Sequence, residues 1–238
     1  MTLLLSTQKL SKNFDGLQAV SDVNFDLPKG QIRALIGPNG AGKTTFVSML
    51  CGRIRQSSGK VSFEGKDISD LAAHVRINLG MAYTFQITSV FASLSVWENV
   101  ALAARRASLT SNVEKVVMDS LEKVGIAGKT AQAAGDLSYG HQRLLEIAMG
   151  IAQSPLLLIL DEPTQGLTDL EIANFIELVR SLSASTTILL IEHNMSVVMQ
   201  VAELITVFDF GKILAEGTPD QIRANAEVQA AYLGTSNA

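Results

Sequence analysis

The stretch IRALIGPNGAGKTTFVSMLCG, residues 32–52, restricts the possible folds of this chain more than any other. A strand-like apolar run, IRALI, leads into the glycine-rich GPNGAGKTT (37–45), and a helix-like apolar run, FVSMLCG, follows. The spacing is G-x-x-x-x-G-K-[ST] in a strand–loop–helix setting, the arrangement of a phosphate-binding loop. Glycines carry no Cβ, so backbone N–H groups can wrap a phosphate closely. Gly37, Pro38, Asn39, Gly40, Ala41, Gly42, Lys43, Thr44 and Thr45 are therefore candidate nucleotide-binding residues. Among them Lys43 offers a point charge to the β- and γ-phosphates, and Thr44 offers a hydroxyl to Mg²⁺.

The rest of the chain supplies strands and helices around this loop. VNFDL (23–27) alternates apolar and polar residues, PKG turns the chain, and QIRALIG (31–37) returns. GKVSFEGKDI repeats the alternation, with Val61 and Phe63 on one face. Later, LLLIL (156–160), TILLI (187–191) and LITVF (204–208) are continuous apolar runs, as parallel strands covered on both faces require. Helical stretches lie among them at 140–153, 169–182 and 194–202, an α/β alternation.

Residues 87–153 have a different character. SVWENVALAARRA opens with a capping box, Ser95 with Glu98, and NVEKVVMDSLEKVG is an amphipathic helix ending at Gly125. The expected organisation is a single domain over 1–238. Segments 1–86 and 154–238 form a nucleotide-binding core with an N-terminal antiparallel β-subdomain, and 87–153 is an inserted helical subdomain. EGTPDQIRANAEVQAAYLG reads as one terminal helix, capped by Thr218 with Pro219 in its first turn.

Composition excludes several classes. The net charge is −4 and the basic residues are scattered, so the basic stripe of a nucleic-acid binder is missing and no nucleic-acid partner is expected. No apolar run approaches the roughly 20 residues that span a bilayer. MTLLLSTQKL lacks the basic segment of a signal peptide, so a cytoplasmic protein is expected. Cys51 is the single cysteine, which rules out an internal disulfide and reads as core packing.

LLLILDEP (156–163) places Asp161 and Glu162 where a buried strand ends, the edge at which open α/β sheets bind ligands. Strand alternation predicts divided roles: Asp161 facing the glycine-rich loop and Mg²⁺, Glu162 facing the γ-phosphate and an attacking water. TILLIEHN ends in the same way and makes His193 a candidate donor to the γ-phosphate, whereas His74 in LAAHVR reads as a helix-surface residue. The guanine-reading N-K-x-D of a GTPase is missing. DFG at 209–211 stands without an H-R-D and reads as a hairpin turn. A second anion site is suggested by LSYGHQRLLEIA (137–148). Its polar turn opens a helix whose Leu144, Ala148, Ile151 and Ala152 share one face, and helix starts attract anions.

The order of these motifs resembles that of the ATP-binding cassette ATPases, over nearly the whole chain from Leu5 to Gly234. The resemblance implies the P-loop NTPase fold, Mg-dependent ATP hydrolysis, and a head-to-tail pair of cassettes with two ATP molecules between them. The L-S-x-G turn of one copy then closes over the other's nucleotide, so Ser138 and Gly140 would touch the partner's γ-phosphate. Tyr139 stands where the family has glycine, and His141 where it has glutamine. Gln86 in TFQITSVF matches the loop glutamine that reaches Mg²⁺ and senses the membrane partner, and Phe14 in KNFDG matches the aromatic that stacks on adenine. After DEPT the family loop ends in Asp or Asn, whereas QGLT here ends in Thr168.

The resemblance further implies a peripheral motor on the inner face of the membrane, bound to transmembrane permease subunits. Phe91 and Trp97, close to Gln86, are either docking aromatics or core. LSYGHQRLLEIAMGIA, IEHNMSVVM and GKILAEGTPDQI look like the ATPase subunits of branched-chain amino acid, amide and urea importers, which also use an extracytoplasmic solute-binding protein. The alternative is the ATPase of a lipopolysaccharide or lipid exporter. A soluble cassette in repair or translation fits less well, because the chain has neither a second cassette nor a long coiled-coil insertion.

Overall fold

A computed structural model describes residues 2–84, 89–107 and 112–233. Its elements, in chain order, are β1 (Leu3–Phe14), β2 (Leu17–Pro28), β3 (Ile32–Ile36), α1 (Lys43–Leu50), β4 (Ser58–Phe63), β5 (Lys66–Asp67), α2 (Ala73–Asn78) and β6 (Met81–Tyr83). Then come α3 (Val96–Ala107), α4 (Val113–Lys123), α5 (Tyr139–Ile151), β7 (Leu157–Asp161), α6 (Asp169–Leu182) and β8 (Thr187–Ile191). The chain finishes with α7 (Met195–Val201), β9 (Leu204–Asp209), β10 (Lys212–Gly217), α8 (Pro219–Ala224) and α9 (Ala226–Leu233). Contacts divide these into two compact units, one built from the chain up to Leu79 and again from Leu189, the other from Gly80–Ile188.

In the first unit, a four-stranded antiparallel sheet has the order β2-β1-β4-β5. Its long β1–β2 hairpin turns at Asp15 and Gly16, whose φ values of 45° and 100° suit the twist of a two-residue turn. β9 runs parallel to β3 and antiparallel to β10. The DFG segment is the β9–β10 turn, with Phe210 and Gly211 at φ 41° and 76°. All five residues of β3 are buried, Arg33 included, as a strand covered on both faces requires.

Arg33 ties the two sheets together. Its guanidinium donates to Thr206 Oγ1 at 2.8 Å and to the Asp26 carbonyl at 3.1 Å, and it pairs with Glu216. Burial pulls its pKa down to about 10, against the raising pull of Asp26. α1 is seated by Phe46, whose ring meets Phe25 at 5.5 Å and Phe208 at 5.0 Å between centroids. Its last carbonyls, on Met49 and Leu50, accept from the buried Arg76 guanidinium at 2.8 Å each, which satisfies the negative end of the helix. Cys51 is buried just beyond it, and His74 lies exposed on α2.

The second unit carries β6 parallel to β7, and the helices α3, α4 and α5 packed on one another. The Ser95–Glu98 box forms, with the Glu98 carboxylate accepting from Ser95 N at 2.8 Å. Asn112 caps α4, and Gly125 follows that helix at φ 76°, the usual glycine exit. Among the described residues no helix is long and apolar enough to cross a membrane.

One expectation is corrected. The segment after Thr218 is not a single helix. Thr218 and Gln221 form a capping box on α8, but Asn225 leaves the helical region at ψ 115°. The Asn225 side chain accepts from the backbone of Glu227 at 2.9 Å and Val228 at 3.1 Å, starting α9. A side chain that bonds the backbone two and three residues on competes with helix continuation.

Candidate active site

In the first unit the glycine-rich loop is shaped by close backbone approaches. Gly37 has φ 151°, and a Cβ there would stand 2.2 Å from the Phe208 carbonyl oxygen. Gly42, at φ 99°, has the Ala19 carbonyl oxygen 2.4 Å from the place of a Cβ. Any side chain at either position displaces β9 or β2 from the loop. Gly211 N donates to the Ala41 carbonyl at 2.9 Å, and Ala41 N to the Pro38 carbonyl at 3.2 Å. Lys43 is buried, with its ammonium donating to the carbonyls of Gly37 at 2.6 Å and Pro38 at 2.9 Å. Thr45 follows in the same first turn of α1, while Asn39, Gly40 and Thr44 face solvent. The first N–H groups of a helix have no acceptor within it, so the loop and helix start offer donors suited to an anion.

Phe14 ends β1 with its ring 42% exposed, and the Lys12 ammonium lies 4.8 Å from its centroid. His193 is exposed just beyond β8. Its place is set by Glu192, a nearly fully buried residue that the sequence reading passed over. The Glu192 carboxylate accepts from the backbone N–H groups of His193 at 2.7 Å and Asn194 at 3.0 Å, and Asn194 in turn caps α7. An acid directly after a five-residue apolar strand was the available signal.

In the second unit Asp161 is the last residue of β7 and is buried. Its carboxylate accepts from the Tyr83 hydroxyl at 2.6 Å, and its backbone N–H donates to Thr84 Oγ1 at 3.2 Å. Strand alternation does not continue through Glu162. That residue turns out of the strand at φ 49°, so a left-handed bend, rather than the pleat, separates the two carboxylates.

Ser138 caps α5, its hydroxyl oxygen accepting from His141 N at 3.3 Å. Gly140 is buried against the following turn, where a Cβ would stand 2.9 Å from the Gly166 carbonyl oxygen. Tyr139 also meets this turn, with its hydroxyl donating to Gln165 Oε1 at 3.3 Å. Thr168 is the cap of α6 and forms a full box with Glu171, which gives a physical reason for a hydroxyl residue at that place. Within α5 a buried ion pair joins Arg143 to Glu146 at 2.9 Å, and Glu146 also accepts from Ser89 N at 2.7 Å. Sequence reading did not single out this pair, because both residues fall where an exposed polar pair is the usual outcome. Phe91 is 55% exposed and Trp97 partly so, which excludes Phe91 from the core. Gln86 lies outside the described residues.

A glycine-rich phosphate cradle between a buried parallel strand and a helix, with acidic and histidine residues at further strand ends, defines a P-loop nucleotide-binding α/β protein. The family model "ABC transporter" matches residues 20–165, and "Branched-chain amino acid ATP-binding cassette transporter" matches residues 212–237. The chain belongs to the ABC transporter family as an ATP-binding, ATP-hydrolysing subunit. It is 36% identical to the high-affinity branched-chain amino acid transport ATP-binding protein BraF of Pseudomonas aeruginosa, over 97% of this chain and 98% of that one. It is 34% identical to the lipopolysaccharide export system ATP-binding protein LptB of Haemophilus influenzae, over 97% of each. The solved ADP conformation of an ATP-binding cassette of an ABC transporter superposes with a TM-score of 0.87 at 26% identity, over 98% of this chain and 100% of that chain. The expected family, fold class and ATPase activity are thus borne out.

Proposed function

We propose that this chain is the motor of an importer for branched-chain amino acids or related small amides and urea. The observation that carries the reading is the match of residues 212–237 to the branched-chain cassette model, supported by the whole-length likeness to BraF. The chain works as a head-to-tail pair with a second cassette, identical or homologous, on the inner face of the membrane. Transmembrane permease subunits hold it there, with exposed Phe91 as one docking side chain and Gln86 as the sensor. An extracytoplasmic solute-binding protein delivers the cargo.

Hydrolysis needs positioning and charge neutralisation more than covalent chemistry. Phe14 stacks on adenine, and the backbone N–H groups of residues 37–45 wrap the phosphates. Lys43 exchanges the carbonyls of Gly37 and Pro38 for phosphate oxygens. Ser138 and Gly140 of the second copy close on the γ-phosphate. Glu162 orients or deprotonates the attacking water, and His193, held by Glu192, donates to the γ-phosphate. Thr44, Asp161 and Gln86 are the oxygen donors assigned to Mg²⁺, a set that suits this hard cation. When bound, the ion neutralises phosphate charge.

Whole-length likeness to LptB favours lipopolysaccharide export as the second reading. Deleting the gene and measuring uptake of labelled leucine alongside surface lipopolysaccharide separates the two. Lost uptake with intact lipopolysaccharide is the expected result. Normal uptake with lipopolysaccharide held back would overturn the importer reading.

A further inference from the structure

His141 lies beside the serine of the turn read above as closing on the second copy's nucleotide. Its Nδ1 lies 2.9 Å from Ser138 Oγ, and its Nε2 lies 3.7 Å from Glu171 Oε1. A serine hydroxyl has one hydrogen to give and two lone pairs to fill. One lone pair already accepts the backbone N–H of His141 at 3.3 Å. The state of the imidazole decides what happens to the rest.

A neutral ring facing the Glu171 carboxylate keeps its hydrogen on Nε2, because a bare nitrogen lone pair there would oppose the negative oxygen. Nδ1 is then an acceptor and takes the hydroxyl hydrogen of Ser138, which leaves that serine with nothing to donate outward. An imidazolium donates from both nitrogens. Its Nδ1–H fills the second lone pair of Ser138, and the hydroxyl hydrogen is released toward any anion in front of α5. We propose that His141 is a positioning residue for ATP hydrolysis: its protonation sets Ser138 as a donor to the partner's γ-phosphate, and its deprotonation withdraws that donor.

This rests on the reading that Ser138 lids the second copy's nucleotide. A cavity of about 570 Å³ between α4, α5 and α6 is lined by His141 together with Glu122, Glu171 and Glu177, with Lys123 as the cation among its lining residues. The ring also lies in the first turn of α5, at the positive end of that helix. Glu171 is kept ionised by the hydrogen bonds from Thr168, backbone first, which hold its carboxyl below the usual glutamate range.

The test is steady-state MgATP hydrolysis by the full chain and its His141→Gln variant, from about pH 5 to pH 8, where imidazoles titrate. Taking the ratio of kcat/KM values cancels the pH effects that both proteins share. The ratio of parent to His141→Gln is expected to fall about tenfold as pH rises, the size of one lost hydrogen bond to a charged group. In a Ser138→Ala background the ratio should be flat. A packing role for His141 would shift the ratio equally at every pH. If Ser138→Ala keeps full turnover, the lidding role itself is wrong. If Ser138→Ala is impaired while the ratio in the parent is flat, only the inference about His141 is overturned.

Discussion

Tyr139 and Gly166 offer a direct measurement of how the family's altered turn is locked to its neighbour. Gly166 has φ 80°, and a Cβ there would stand 2.5 Å from Tyr139 Cδ1 and 3.0 Å from Cε1. Gly166→Ala therefore combines two penalties. Left-handed backbone costs an L-residue about 1–2 kcal/mol. Forcing a methyl into the ring adds about 1–3 kcal/mol. Moving the ring away costs its hydroxyl's bond to Gln165 and its contact with the Arg143 guanidinium, 5.7 Å from its centroid. For a chain of 238 residues each kcal/mol moves Tm by about 2–4 °C, so a central loss near ~3 kcal/mol lowers Tm by roughly 6–12 °C. Tyr139→Ala removes every ring atom involved, and in that background Gly166→Ala should retain only the backbone term, about 2–8 °C. Calorimetry on the four proteins gives a coupling of about 1–3 kcal/mol. Equal Tm losses in both backgrounds would refute the claim that the ring confines this turn.

Three further outcomes are expected. Glu162→Gln should still bind ATP and dimerise while turnover falls about 10²-fold or more; near-normal turnover in a phosphate-release assay would remove Glu162 from the mechanism. Lys43→Ala should weaken ATP binding by about tenfold or more in calorimetric titration, and unchanged affinity would contradict the assigned phosphate contact. Thr168→Ala should cost about 1 kcal/mol at neutral pH by opening the α6 box. Because Glu171 is held below its ordinary pKa, the stabilisation its carboxylate contributes is present above the unfolded value and lost as pH falls through the folded one. Parent and Glu171→Gln denaturation curves should therefore converge in acid, and a gap that persists there would show that the ionised carboxylate is not what stabilises the box.

The fold was largely legible because its determinants are local. The spacing around Lys43 demands one backbone path, and β3, β7 and β8, five mostly apolar residues each, have no exposed face to occupy. Helix starts at Ser95, Asn112 and Thr218 carried their caps in sequence. What escaped reading depends on distant partners. Arg76 looks like any helix-surface arginine until its carbonyl acceptors, on Met49 and Leu50, arrive from α1. Glu192 looks like a strand-end acid until the chain folds its own N–H groups back onto it. Asn225 was legible in principle, since asparagine is a cap former, but unbroken helical periodicity on both sides concealed the interruption. The bend at Glu162 had no signal: glycine, and less strongly asparagine or aspartate, advertises a left-handed backbone, and the residue there is glutamate.

That bend sets durability against work at a single codon. Holding a side chain in the left-handed region costs about 1–3 kcal/mol, which glycine or asparagine would largely relieve. A blind screen for heat-resistant clones should therefore enrich Glu162→Gly and Glu162→Asn. On the role proposed for Glu162, its winners would survive the oven and drive no transport.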